Sequence, residues 1–377
     1  PFEDEKLERR QQIALARINE SGLPLAYVNQ VGGQDELVFD GASFVLGADC
    51  SLRVQLPTFD EALLVTQWQR EGDAWVCEEA LRSEPPAELE AIYSALLLGL
   101  RDYLRKNGFP GIVIGMSGGI DSALSAAIAV DALGPEKVWC VMMPSPYTSA
   151  ESLQDADDCC RRLGVKLDSI DIEPAMKAFE AMLAPYFQGL TADTTEENIQ
   201  ARARGITLMA LSNKFGHMVL STGNKSETSV GYTTLYGDMC GGFNVLKDVY
   251  KTTVYDLSRW RNEKRPKGAL GPEGVIIPEH IITKPPSAEL RPGQKDQDTL
   301  PPYNDLDDIL RGLIEEEAGV EALVARGHER AVVQRVWRLL ENAEYKRRQA
   351  PPGVKITSRA FGSDRRYPIT NGFKGSA

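Results

Sequence analysis

Helices and strands alternate along the chain from Ala87 onward, which predicts an α/β protein built on a doubly wound parallel sheet. Two further features agree. The Gly111–Gly115 stretch (GIVIG) is short and wholly apolar, as a strand covered on both faces of a parallel sheet must be. The turns between successive βα units are short, so each helix must fold back across the sheet it has just left.

Taken in order, the first segment opens with a charged helix over Glu3–Glu20, stopped by Gly22. Strands follow over Leu25–Val31 and Glu36–Leu46, joined by a turn at Gly32-Gly33-Gln34-Asp35, and a further strand covers Leu52–Leu56 before Pro57. Asp60–Glu84 is polar and mixed, and Pro85-Pro86 marks a boundary between a first unit, 1–84, and a second, 85–377. The second unit opens with a helix over Ala87–Asn107, the strand Gly111–Gly115 and a helix over Gly119–Leu133. It continues with strands Lys137–Met143, Lys166–Ile172 and His217–Ser221, and helices Ser149–Leu163, Ala175–Leu183 and Thr195–Lys214 between them. Residues 265–302 are rich in Pro, Gly and charge, too polar for core and too long for an ordinary connector; such a loop is either disordered or a substrate lid, and the lid is the favoured expectation. Helices over Asn304–Glu317 and His328–Arg348 precede a basic, aromatic tail from Lys355 to Ala377 without periodicity.

Composition narrows the class. The chain has 377 residues, 42 Lys+Arg against 54 Asp+Glu, and a net charge of −12, an acidic balance that argues against a dedicated nucleic-acid binder. No apolar run approaches the roughly 20 residues that span a bilayer. The six cysteines show no CxxC spacing and the three histidines no metal-ligand pattern. The expectation is a soluble, cytoplasmic protein. Because the first residue is Pro1, the chain is also expected to begin inside a longer polypeptide.

The most informative stretch is Gly115-Met116-Ser117-Gly118-Gly119-Ile120-Asp121-Ser122, which follows a buried strand and opens a helix. That junction presents backbone N–H groups and a positive helix end to an anion. Two glycines let the main chain approach phosphate oxygens, and Ser117 and Ser122 offer hydroxyls. Asp121 beside a polyphosphate requires a divalent cation between them, for which Mg²⁺ is the natural choice. The loop lacks the Gly-Lys-Ser/Thr end of a Walker loop and the GxGxxG spacing of a dinucleotide fold. A tight βα turn with a capping side chain would explain the glycines but not the flanking hydroxyls and carboxylate.

Ser117-Gly-Gly-Ile-Asp-Ser122 resembles the SGGxDS pyrophosphate loop of the N-type ATP pyrophosphatases, which cleave ATP between the α and β phosphates to adenylate a substrate. Ser221-Thr-Gly-Asn-Lys-Ser-Glu227, Tyr236-Gly-Asp238, Lys284-Pro-Pro-Ser-Ala-Glu-Leu290, Asp296-Gln-Asp-Thr-Leu-Pro-Pro302 and Glu344-Tyr-Lys-Arg-Arg348 resemble, in order, the segments of NAD synthetases. Residues Tyr27–Ser43 look like the end of the nitrilase-type glutaminase domain of the glutamine-dependent members. Residues 1–84 would then be the remnant of a nitrilase-like α/β sandwich. The Glu-Lys-Cys triad of that domain would lie upstream of Pro1, and neither Cys50 nor Cys77 occupies the nucleophile's place.

The resemblance implies amidation of deamido-NAD⁺ to NAD⁺ with ATP as co-substrate and Mg²⁺ as cofactor. Ammonia is the nitrogen source for this chain, normally drawn from glutamine by the upstream domain. It implies Asp121 and Glu227 as metal contacts and Asp121 and Lys251 as catalytic groups. Gly115–Ser122, Thr222, Lys251 and Ser287 would hold ATP, while Asn198, Arg202, Glu227, Asp238 and Lys346 would hold deamido-NAD⁺. A homodimer or higher homo-oligomer is expected, with neither nucleic-acid nor membrane partners. Three rivals stand beside this reading: another amidotransferase of the superfamily such as a GMP synthetase, a non-catalytic assembly fragment, and a nucleic-acid-modifying ATPase.

Overall fold

The computed structural model describes residues 1–4 and 6–372; residues 373–377 of the expected tail lie outside it. The first segment contains α1 (Lys6–Ser21), β1 (Leu25–Tyr27), β2 (Val31–Gln34), β3 (Leu37–Asp40), β4 (Phe44–Leu46), β5 (Leu52–Gln55), β6 (Trp68–Glu71) and β7 (Ala74–Cys77). Strands β1, β4 and β5 form an antiparallel sheet, and β2–β3 and β6–β7 are hairpins.

The expected strands 25–31 and 36–46 each split in two. Gly41 and Ala42 take φ of +66° and +52°, a conformation that ends β3. The expected glycine turn also shifts: Gly32 and Gly33 lie inside β2, and the chain reverses at Asp35, with φ +51°. The reason is packing. A Cβ on Gly33 would sit 3.0 Å from the Gly99 Cα, so this glycine serves close backbone approach. The β6–β7 hairpin lies within the stretch expected to be polar and mixed; β6 (WQRE) is mostly polar and exposed, and β7 (AWVC) is apolar without alternation, so neither shows the period-2 pattern of a half-buried strand.

The second segment begins with α2 (Glu88–Lys106), β8 (Ile112–Gly115), α3 (Ile120–Leu133), β9 (Val138–Met142), α4 (Ala150–Leu163) and β10 (Lys166–Ser169). It continues through α5 (Glu173–Phe187), α6 (Thr194–Phe215), β11 (Met218–Ser221), α7 (Lys225–Val230), β12 (Phe243–Asn244) and α8 (Lys251–Glu263). The five strands form one parallel sheet in the order β10-β9-β8-β11-β12. Successive residues of β8 serve opposite faces: Ile112 and Ile114 join the large core under α2, α3, α4 and α8. Val113 joins a smaller core with Leu208 of α6 and Ile172 at the start of α5. Helices thus cover both faces, and the doubly wound sheet expected from the sequence is present. The order reverses between β8 and β11, the switch point where open α/β sheets gather ligands at their carboxyl ends.

The remainder holds α9 (Glu279–Thr283), α10 (Tyr303–Ile314), α11 (Val320–Ala325), α12 (Arg330–Asn342) and α13 (Glu344–Arg347). A second apolar cluster, including Leu306, Leu310, Leu323, Val333 and Val336, packs α10–α12 against Val230 of α7. The expected single helix over 328–348 breaks at Ala343. The polar lid expected over 265–302 is also corrected in part. Ala269, Ile276, Ile277, Ile281 and Ile282 are buried in the main core, their isoleucine pairs masked by the polar average of the window. Only residues 284–300 remain as a strap outside it.

Candidate active site

The loop after β8 is held open by its own side chains. The Ser122 hydroxyl donates to the Gly119 carbonyl at 2.9 Å and accepts the Ser117 N–H at 3.3 Å. The Gly119 N–H reaches Ser117 Oγ at 3.1 Å. Gly118 takes φ +77°, and a Cβ there would fall 2.2 Å from the Ser152 carbonyl oxygen of α4, so no other residue fits. Gly119 then stands as the N-cap of α3, whose first-turn N–H groups and positive end face the loop. Met116 and Ile120 are buried in the main core and anchor the loop rather than line it.

Three charged groups meet beside it. Asp121, in the first turn of α3, accepts the amide of Asn224 at 2.8 Å through Oδ1 and pairs with Lys251 Nζ through Oδ2. The same ammonium lies 3.1 Å from Glu227 Oε1. Each side chain arrives from a different element: Asp121 from α3, Glu227 from α7 after β11, and Lys251 from the first position of α8. Packing of Val254 and Leu257 into the main core fixes α8 against α3. Burial pushes the Glu227 carboxyl up to about 8, opposed by Lys251 and reinforced by Asp121. Burial alone would lower the Lys251 amine, but Asp121 and Glu227 outweigh it and hold the amine charged. Thr222, half-buried at the carboxyl end of β11, stands at the same edge because Leu220 pairs with Ile114.

A second group of expected residues is organised around residues 231–238, next to the first through the Ser221 hydroxyl, which donates to the Asp238 carbonyl at 3.2 Å. Thr234 donates its hydroxyl to Asn198 Oδ1 at 2.9 Å and its N–H to Asp238 Oδ1 at 2.7 Å. Arg202 donates to the Leu235 carbonyl at 3.2 Å, and Lys346 donates to the carbonyls of Gly231 and Thr233 at 2.7 and 2.6 Å. Tyr236 is held at φ +62°, and Gly205 of α6 lets the turn approach, since a Cβ there would lie 2.9 Å from the Gly237 carbonyl. Asp238 is exposed, and the protein crowded around its carboxyl raises it above the ordinary carboxylate range against the pull of the Thr234 N–H and Lys346.

A family model for NAD synthase matches residues 92–350, which contain every residue of both groups. The chain belongs to the NAD synthase family. A glutamine-dependent NAD⁺ synthetase of Rhodobacter capsulatus is 54% identical over 371 residues, covering 98% of this chain and 67% of its own length. A solved glutamine-dependent NAD⁺ synthetase of Acinetobacter baumannii, in complex with ADP, matches with TM-score 0.71 at 46% identity, over 99% of this chain and 66% of its own. An NH₃-dependent NAD synthetase of Campylobacter jejuni matches with TM-score 0.55 at 25% identity, over 68% of this chain and 96% of its own. The chain therefore spans about two thirds of the length of the first two relatives.

Within this NAD synthase architecture, the residues expected at ATP and at deamido-NAD⁺ fall into two adjoining groups. Two expectations shift. Ser122 is 2% exposed, and its hydroxyl is turned inward to the Gly119 carbonyl and the Ser117 N–H, shaping the loop. Ser287 is exposed, and its hydroxyl donates to the Gln294 carbonyl at 2.6 Å within its own segment. Asn224 was missed. It is fully buried, caps α7 by accepting the Glu227 N–H at 2.9 Å, and orients Asp121 with its other end. The signal was present as an Asn three residues before a Glu at a helix start. A groove of about 610 Å³ lined by Trp139, Phe215 and His217 opens at the opposite, amino edge of the sheet, and none of the expected site residues lines it.

Proposed function

We infer that this chain catalyses the ATP-dependent amidation of deamido-NAD⁺ to NAD⁺, releasing AMP and pyrophosphate. The observation that carries the reading is the convergence of Asp121 and Glu227 on Lys251 at the switch point of the sheet, beside a glycine loop that opens α3. A carboxylate is a poor acyl donor, so the nicotinate carboxylate attacks the α-phosphorus of ATP. Ammonia then displaces AMP from the mixed anhydride. Such transfers depend on placement and charge neutralisation.

The roles follow from position. Main-chain N–H groups over Gly118–Ser122 and the α3 terminus hold the departing phosphates. Lys251, kept charged, sits where negative charge accumulates as pyrophosphate leaves. Thr222 borders the nucleotide, and Ser287 contacts phosphate once its strap adjusts. Asn198, Arg202, Asp238 and Lys346 form the walls for the dinucleotide, with Glu227 at the junction. The donors also suit Mg²⁺. Asp121 and Glu227 both turn a carboxylate oxygen to Lys251 Nζ, each has a second oxygen to offer, and among the described residues no third acidic or imidazole ligand joins them. That set matches an ion held by one or two carboxylates with phosphate oxygens completing its shell. Asp121 and Glu227 would hold it, and when bound it neutralises polyphosphate charge.

Residues 1–84 are the end of a nitrilase-like glutaminase unit and 85–377 the synthetase unit. Cys77 is buried, its thiol pushed up by that burial, and Cys50 Sγ lies 3.4 Å from Asn19 Oδ1, so neither is placed as a nucleophile. Residues 1–377 by themselves use ammonium, since neither cysteine of residues 1–84 is placed as a nucleophile, and the protein works in the cytoplasm as a homodimer or higher homo-oligomer. ATP–pyrophosphate exchange that depends on deamido-NAD⁺ and not on xanthylate tests the substrate against a GMP synthetase. Absence of NAD⁺ formation with abundant ammonium would instead favour a non-catalytic assembly role. Glutamate released from glutamine by the isolated chain would overturn the ammonia assignment.

A further inference from the structure

Segment 284–300 runs from the α4 surface beside Gly118 to the Lys251 cluster, and it is tied to α4 at two points. Lys284 Nζ donates to Asp155 Oδ2 at 2.7 Å and to Ser152 Oγ at 3.2 Å. The Glu289 carboxylate accepts the hydroxyls of Ser149 and Ser152 at 2.7 and 2.8 Å and the Ser149 N–H at 3.3 Å. Ser287 lies between these ties. Glu289 makes its contacts at φ +48°, a left-handed conformation that a residue with a Cβ keeps only where its surroundings impose it. Its carboxylate also sits at the N-terminus of α4, a 14-residue helix, where negative charge is favoured.

Ser152 joins the strap to the phosphate loop. Its hydroxyl serves Glu289, while its carbonyl is the atom that leaves no space for a Cβ at Gly118. Beyond Glu289 the segment folds on itself, with the Leu290 N–H donating to Gln294 Oε1 at 2.8 Å. It ends by burying Asp296, which accepts the Tyr303 hydroxyl at 2.9 Å near Lys251 and Glu227. A displacement at Glu289 therefore has a path to both sides of the ATP half.

We propose that Glu289 is a positioning residue, the latch that holds segment 284–300 over bound ATP and sets the affinity for it without touching the reacting atoms. The proposal rests on the synthetase reading given above. The test uses the 377-residue chain with ammonium as nitrogen donor and the variants Glu289→Gly, Glu289→Gln and Ser152→Ala. Glycine accepts φ +48° without strain, so that variant removes the carboxylate and its contacts without adding backbone strain. Glu289→Gly is expected to raise KM for ATP about tenfold while kcat stays within about twofold. Glu289→Gln, whose Oε1 still accepts both hydroxyls, recovers most of the loss. Adding Ser152→Ala to Glu289→Gly costs less than Ser152→Ala does alone, because the contact the two share is already gone and only the Lys284 bond to Ser152 Oγ is left to lose. Amide hydrogen exchange over 284–298 quickens in Glu289→Gly. Unchanged KM for ATP and unchanged exchange in that variant overturn the latch. So does a fall in Tm with every kinetic constant lowered alike, which assigns Glu289 to fold stability alone. If the unaltered chain forms no NAD⁺, the synthetase reading fails, and the exchange measurement still decides the latch.

Discussion

The two halves of the cleft are built on opposite plans. In the half proposed for ATP, side chains answer side chains: Asn224 and Lys251 on Asp121, Lys251 on Glu227, Ser117 on Ser122. In the half proposed for the dinucleotide, Arg202 and Lys346 donate to main-chain carbonyls of one loop, and Asn198 reaches it through Thr234. The first plan fixes charges before any ligand arrives. The second fixes a loop, leaving its cations with donors to spare and Asp238 with a proton affinity shifted toward neutrality. The difference teaches that one half is organised for charge development and the other for shape.

The largest expected effect breaks that contrast at its strongest point. Asp121→Asn should lower NAD⁺ formation by about a thousandfold, an electrostatic loss comparable to removing a principal transition-state contact. Its circular dichroism should stay unchanged, because the carboxylate lies at a helix start and not in the core. Substantial turnover in this variant would remove the charge-first description. Next, Asp238→Asn should raise KM for deamido-NAD⁺ about tenfold and leave KM for ATP unaltered, as separate halves require. Equal changes in both constants would merge them.

A smaller effect concerns pH. Glu227 is pushed up from 4.5 to about 8, so the folded state binds more protons than the unfolded chain between those values. The group's stabilising contribution is therefore full below 4.5 and is lost as pH rises to about 8. Tm followed across that window should decline, and Glu227→Gln should flatten the decline. An unaltered slope would show that the pair with Lys251 already satisfies the charge. The smallest effect belongs to Ser122→Ala, expected to cost about 1 kcal/mol of stability while raising KM for ATP no more than about threefold. A larger rise in KM would return Ser122 to the ligand.

The sheet was legible because its signals are local. GIVIG is a buried strand whatever surrounds it, and SGGIDS declares a strand–loop–helix junction within eight residues of Gly115. Helix α8 is not legible in the sequence. It opens Lys251-Thr-Thr-Val-Tyr255, a β-branched run of poor helix propensity that tertiary packing of Val254 and Leu257 overrides. Asn224 escaped for another reason: its bond to Asp121 joins residues 103 apart in sequence, a relation no window contains. The isoleucines of 276–282 were hidden by averaging, and the glycines of β2 were read as a turn because their partner, Gly99, lies on another element. The roles expected at Asn198, Asp238 and Lys346 rest on family resemblance alone, since bonds to Thr234 and to the carbonyls of Gly231 and Thr233 leave no pattern in a sequence.

The contact between Gly33 and Gly99 carries a mechanical consequence. Two side chains facing each other can change rotamer and absorb a displacement; two stretches of bare main chain cannot. The Gly33 N–H is also tied to the Asp102 carboxylate at 2.8 Å, one turn along the same helix, so the hairpin can neither slide nor tilt alone. It must travel with α2 as one stiff body, and a push on either is delivered to the other undiminished.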